Sequence, residues 1–181
     1  MRGSRRFFFF LLIALLLGGC AAPPTRMTSE PYIPKTYGSG SVVAVWDLEN
    51  FSITENQTLD DMQEFLTAKV TETLKEQGGY VVIERQKLLL ALEELSLGSS
   101  ELADENSRLE IGRLIGAQLM VFGGYQQVGE QLRIDLRMVE VESGAVVRTA
   151  EHTATAGDVS GVLTAAETAA GKLLVVRAPP L

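Results

Sequence analysis

The chain has one cysteine, one histidine and one tryptophan among 181 residues. A single cysteine closes no intramolecular disulfide, and a single histidine cannot form a histidine cluster around a metal. Positive charge is also short, with 16 Lys and Arg against 23 Asp and Glu and a formal charge of −7. An acidic protein repels phosphate backbones, which argues against nucleic acid as a partner. Long apolar runs are scarce. The strongest is Phe7 to Leu17, well under the ~20 residues that cross a bilayer as a helix.

What surrounds that run explains it. Arg2, Arg5 and Arg6 precede it with no acidic residue, and small residues follow it. A basic start, a short apolar core and a small-residue exit make a secretory signal peptide, here residues 1–19. Leu17-Gly18-Gly19-Cys20 resembles the bacterial lipobox, in which the cysteine thiol is diacylated and the peptide is cut before it. The resemblance places lipidation at Cys20 and cleavage between Gly19 and Cys20. Each buried methylene contributes about 0.8 kcal/mol, and two or more acyl chains anchor stably where one does not. Ala21 and Ala22 stand where an inner-membrane lipoprotein typically has aspartate. That implies an outer-membrane lipoprotein facing the periplasm. Loss of the three signal arginines takes the charge from −7 to −10. Lipid on Cys20 leaves the folded part no thiol, hence no cysteine nucleophile.

Ala21 to Gly40 holds four prolines, few large apolar residues and a Gly-Ser end. Such a stretch cannot bury enough surface to fold, so residues 20–40 read as anchor and tether. The folded domain is expected over 41–176, with 177–181 a loose tail.

Within the domain, Ser41–Trp46 is a β-branched apolar run and reads as a strand buried on both faces. Thr58 to Gln77 carries Leu59, Met62, Leu66, Val70 and Leu74 as one helical stripe. Thr58 is placed to cap it, Asp60 and Asp61 suit its first turn, and Gly78-Gly79 stops it. Tyr80–Ile83 reads as a second buried strand. Helices follow over 86–97 and 107–115, the latter with Leu109, Ile111, Leu114 and Ile115 as its apolar set. This order predicts parallel pairing. Ala117–Gln126, Gln131–Glu142 and Ala145–Thr155 are strands joined by tight turns, an antiparallel meander. Leu132, Ile134, Leu136 and Met138 alternate with charged residues, then the phase slips at Met138-Val139, as a β-bulge would produce. Asp158 caps a last helix over Val159–Leu174. The fold class is therefore α/β: a mixed sheet, its first half βαβ and its second a three-stranded meander, with helices packed on it.

Residues for catalysis are hard to assemble. His152 lies in a strand between Glu151 and Thr153 with no cluster around it. The pairs Asp60-Asp61, Glu93-Glu94 and Asp104-Glu105 sit on helices or their entries, where neighbours diverge by ~100° and face solvent. Tyr37-Gly38-Ser39-Gly40-Ser41 precedes a strand and lacks a phosphate-loop lysine. Gly123-Gly124 inside a strand suggests a bulge or close backbone approach. Trp46 reads as core. No metal, cofactor or enzyme activity is expected.

The ordered segments "VAVWDLEN", "YVVIERQKLLLALEE", "IGRLIGAQLMVFGGY" and "LRIDLRMVEVESGAVV", behind a lipobox, resemble the CsgG superfamily of outer-membrane lipoproteins over about Val42 to Val147. That family includes the curli secretion component, FlgO and the penicillin-binding-protein activator LpoB. Glu84-Arg85, Gly116-Ala117 and Ser143-Gly144 match family positions that build the fold. One departure is informative. The curli protein has two long membrane-spanning hairpins, and here their places hold only Gln126–Gln131 and Gly157–Gly161. A spanning strand takes ~9–11 residues. The resemblance therefore implies a periplasmic interaction or assembly module without its own pore, CsgG-like or FlgO-like. LpoB-like activation of a peptidoglycan synthase is the alternative, and a curli-type channel subunit is less favoured. Implied partners are other envelope proteins, the membrane through the N-terminal lipid, and further copies of the chain.

Overall fold

A computed structural model of the chain describes residues 35–53, 57–95, 104–155 and 158–175. Cys20, Gly19, the signal, most of the tether and the final residues lie outside these.

The strands are β1 (Val42–Val45), β2 (Glu49–Asn50), β3 (Val81–Val82), β4 (Leu119–Val128), β5 (Gln131–Glu140) and β6 (Val146–Thr155). The helices are α1 (Gln57–Asp61), α2 (Gln63–Glu76), α3 (Arg85–Leu95), α4 (Glu105–Leu114) and α5 (Val159–Leu174). They form one mixed sheet in the order β3-β1-β4-β5-β6, with β2 also on β4. β1 pairs in parallel with β3 and β4, and β4, β5 and β6 run antiparallel. The α/β class, the parallel first half and the meander are as the sequence predicts.

Two cores flank the sheet. Leu59, Met62, Leu66, Val70 and Leu74 pack with Val43, Val121, Ile134 and the alanines of α5 on one face. Leu88, Ala91, Leu109 and Ile111 pack with Ala44, Met120 and Val139 on the other. The register shift at Met138/Val139 falls on the β5–β6 pairing, where Met138 opposes Arg148 and Val139 opposes Val146, so the extra residue is Val147 in β6. β5 itself stays in register with β4. Leu132, Ile134, Leu136 and Met138 face the first core, and Val139 and Val141, on the face that also carries Arg133 to Arg137, join the second. The apparent change of phase at Val139 marks a stretch of β5 that is buried on both faces, not a slip of that strand.

Several local expectations shift. The stripe from Leu59 to Leu74 is buried throughout, but it is carried by two helices, not one. Met62 separates them, with its N–H bonded to Leu59 O at 3.1 Å. Thr58 falls within α1, so it is not the cap. Tyr80–Ile83 shortens to a two-residue strand at the sheet edge, with Val81 55% exposed. It pairs on one side only, so full burial was an overestimate. Trp46 lies just past β1 and is half-buried rather than core. β2 was not anticipated, because Glu49-Asn50 shows no strand pattern of its own.

The cap expected at Asp158 holds. Asp158 accepts from Gly161 N at 2.7 Å at the start of α5. Gly116, at φ +78°, ends α4, and Ala117 N donates to Gly112 O at 2.9 Å. That left-handed residue is why glycine stands in the Gly116-Ala117 pair.

Candidate interaction surface

β4, β5 and β6 carry α5 on one face. On the other face α4 reaches only part of them, and a shallow open depression runs over Gly124, Asp135, Arg137, Thr149 and Glu151. Arg133 donates from Nη2 to Asp135 at 2.7 Å and to Glu151 at 2.6 Å. Arg137 reaches Glu105 at 3.0 Å, and its guanidinium lies 5.5 Å from the Phe122 ring centre. Arg108 meets Glu49 at 2.7 Å and sits 5.2 Å from the centre of the Trp46 ring. Exposed pairs of this kind contribute about 0–1 kcal/mol each. Their main effect is to keep the open face polar with its charges paired.

Gly123 and Gly124 serve close approach and not a bulge, since β4 pairs with β5 in register across both. A Cβ on Gly124 would stand 2.3 Å from Phe51 Cε2 and 2.6 Å from Glu49 O. The bare backbone at Gly124 is what lets β2 and the Phe51 ring lie against β4.

Two motif residues meet at the end of β1. Arg85 donates twice to Asp47, at 3.0 Å from Nε and 2.7 Å from Nη2. The segments "VWDLEN" and "IERQ" are thus joined by a two-pronged ion pair, which holds the Arg85 charge more firmly in place.

At the opposite end of the strands lies a feature the sequence did not disclose. Glu140 is 2% exposed. It accepts from the hydroxyls of Tyr37 and Ser143, and Lys35 Nζ lies 3.4 Å away. The Ser143 and Tyr37 hydrogen bonds, followed by Lys35, outweigh burial and hold its carboxyl below the usual range. Arg148 ties the group together, donating to Tyr37 O at 2.6 Å and to Tyr80 Oη at 2.8 Å. Gly40 N donates to Gly79 O at 2.9 Å. Residues 35–40, which the composition assigns to the tether, are therefore fastened across the sheet from the β5–β6 turn to β3. Tyr37 and Glu140 are 103 positions apart, and no local pattern relates them.

His152 is in β6, as expected. Its Nδ1 lies 3.3 Å from Lys172 Nζ, which also donates to Glu151 O at 3.0 Å. Burial, then the Lys172 charge, lowers its pKa. The carboxylate pairs have separate tasks: Asp60 accepts from Asn50 and Asp61 from Gln57. Asp104 caps α4, Glu105 pairs with Arg137, and Glu93 and Glu94 are exposed. No cluster of three His, Cys, Asp or Glu able to hold a metal occurs among the described residues.

The hairpin β4–β5 turns over Gly129-Glu130, and only three residues separate β6 from α5. Neither connection has room for a spanning hairpin. No helix among the described residues is long and apolar enough to cross a membrane.

Known proteins resemble this arrangement. The C-terminal domain of LpoB from Salmonella enterica superposes with a TM-score of 0.58 at 18% identity, covering 66% of this chain and 85% of that one. Lipoprotein GNA1162 from Neisseria meningitidis gives 0.55 at 14% identity, over 68% and 88%. PelC from Paraburkholderia phytofirmans, solved as a dodecamer, gives 0.50 at 19% identity, over 77% and 94%. At such identities the likeness is one of fold. No curated protein sequence matches the chain. The family model described as "Curli production assembly/transport component CsgG" matches residues 40–134. That match spans more than half of the sequence and takes in β1 through the start of β5, and by it the chain belongs to the CsgG family.

Proposed function

We propose that this protein is a lipid-anchored, periplasm-facing interaction or assembly module of the outer membrane, with no pore and no catalytic activity of its own. The observation that carries the reading is the two-residue turn Gly129-Glu130. It closes a family hairpin where the resemblance to the curli component would require ~20 or more residues for spanning strands. Cys20 in its lipobox supports the anchor, and Ala21-Ala22 supports the outer membrane. His152 supports the absence of catalysis, because its ring neighbour is Lys172 and not a carboxylate or a nucleophile. PelC's dodecamer supports association of further copies as part of the same proposal. Labelling with a palmitate analogue tests the anchor: the parent chain takes up label in the outer-membrane fraction, and Cys20→Ser does not. Equal labelling of the two would remove the lipoprotein reading.

A further inference from the structure

Three exposed apolar side chains gather at the end of the open face. Phe51, with its ring against Gly124, is 57% exposed, Ile53 is 96% exposed and Val128 is 68% exposed. Phe51 N donates to Tyr125 O at 2.8 Å, and Ser52 Oγ accepts from Gln127 N at 3.0 Å. These bonds hold residues 51–53 beside the last residues of β4. Val128 lies four residues beyond Gly124 on the same face of that strand.

The rim of this strip is acidic. Asp60 and Asp61 stand at its edge on α1, held there by the hydrogen bond that Asn50 Nδ2 donates to Asp60 Oδ1 at 2.7 Å. Glu130 follows Val128 in the turn. None of the three has an ion-pair partner among the described residues.

The acidic rim narrows what can cover the strip, since Asp60, Asp61 and Glu130 repel an anionic membrane surface. The described chain enters the domain at Lys35, beside Glu140 and Glu142, at the far end of the ten-residue strands. A second copy fits poorly too. Glu49, Asp135 and Glu151 occupy one level of the open face through Gly124. A twofold axis along the strands would press this charged row, with the Arg108 and Arg133 that pair with it, against its own copy and strip its water. A twofold across the strands sends the two chain entries in opposite directions. A head-to-tail contact would need a basic surface on a chain with 16 basic and 23 acidic residues.

We propose that the Phe51–Ile53–Val128 strip docks a different envelope protein, one whose apolar patch is flanked by lysine or arginine. This rests on the anchor reading given above. The test places a photoreactive phenylalanine analogue at Ile53, at Val128 and, as a control, at Leu90, which is 58% exposed on α3, in the full chain in cells. The expected result is one adduct with a different protein from positions 53 and 128 and none from 90. Capture alone does not suffice. The adduct must fall by about tenfold when Asp60, Asp61 and Glu130 are changed to Lys, with the circular dichroism of the purified chain unchanged. If that triple variant fails to fold, Glu130→Lys alone, in an exposed turn, must still lower the yield. Adducts only with a second copy or with lipid, adducts indifferent to the charge reversal, or no adduct at all would overturn the proposal. Palmitate labelling in the same cells separates the two readings: a labelled chain without adduct defeats the strip alone, and an unlabelled chain with the adduct defeats the anchor alone.

Discussion

The hydroxyl of Tyr37 donates to the carboxylate of Glu140, joining the segment that precedes β1 to the buried end of β5. The carboxylate keeps its charge at 2% exposure because Ser143, Tyr37 and Lys35 surround it. Removing a donor leaves part of that charge uncompensated, which costs more than the bond itself contributes. Tyr37→Phe is expected to destabilise the domain by about 1–3 kcal/mol in urea unfolding. A fragment starting at Ser41 should be less stable than one starting at Lys35. Equal midpoints for the two fragments would show that residues 35–40 contribute nothing to the fold.

The same group sets a pH dependence. The folded pKa of Glu140 lies below its ordinary 4.5, so the unfolded chain takes up the proton first as pH falls. Its stabilising contribution is complete above the unfolded value and is lost as pH drops through the folded one. Comparing urea midpoints of the parent and Glu140→Gln from pH 7 to pH 3 should show the gap narrowing below about pH 4.5. A gap constant over that range would mean that Glu140 is not ionised in the folded protein.

Gly124 has no room for a side chain. A Cβ there would meet the Phe51 ring at 2.3 Å and Glu49 O at 2.6 Å. The ring can swing away, but the carbonyl belongs to β2. Gly124→Ala is expected to lower stability by about 1–3 kcal/mol and to speed amide exchange at Asn50 and Phe51. Protection of those amides at the parent level would show that β2 accommodates the methyl group.

The α2–α5 contact relies on small residues. Ala165, Ala166, Ala169 and Ala170 are each at most 1% exposed, and Leu66 facing the same core is fully buried. Ala169→Leu overpacks this seam and should cost about 1–3 kcal/mol. Leu66→Ala opens a cavity and should cost about 2–5 kcal/mol. Thermal melts would rank the two, and a neutral Ala169→Leu would mean that the helices separate easily.

The purified full chain in planar bilayers should give no stepwise current. A spanning hairpin must satisfy its backbone within a closed barrel, and the β4–β5 connection is only Gly129-Glu130. Reproducible unit currents from the parent chain, absent after heat denaturation, would restore a channel.

What the sequence determined alone is what a few neighbouring residues encode. The stripe from Leu59 to Leu74 specifies a helical face whether one helix or two carry it. The alternation from Leu132 to Met138 specifies a strand and the face it buries. Asp158 stops the chain and starts α5. Each signal is complete within a turn or two of backbone, so it survives without knowledge of what packs against it. Tertiary structure decided the rest. Glu49-Asn50 is a strand only because Gly124 lets it approach. Val81 is exposed because the sheet ends at β3. Lys35 and Tyr37 read as tether by composition, and they belong to the domain because β5 delivers Glu140 to them from 103 positions away. Phe51, Ile53 and Val128 form one strip only after parallel pairing sets β2 beside β4. Pairings of this range depend on the order in which the intervening elements fold back, and that order is written in no single segment of the chain.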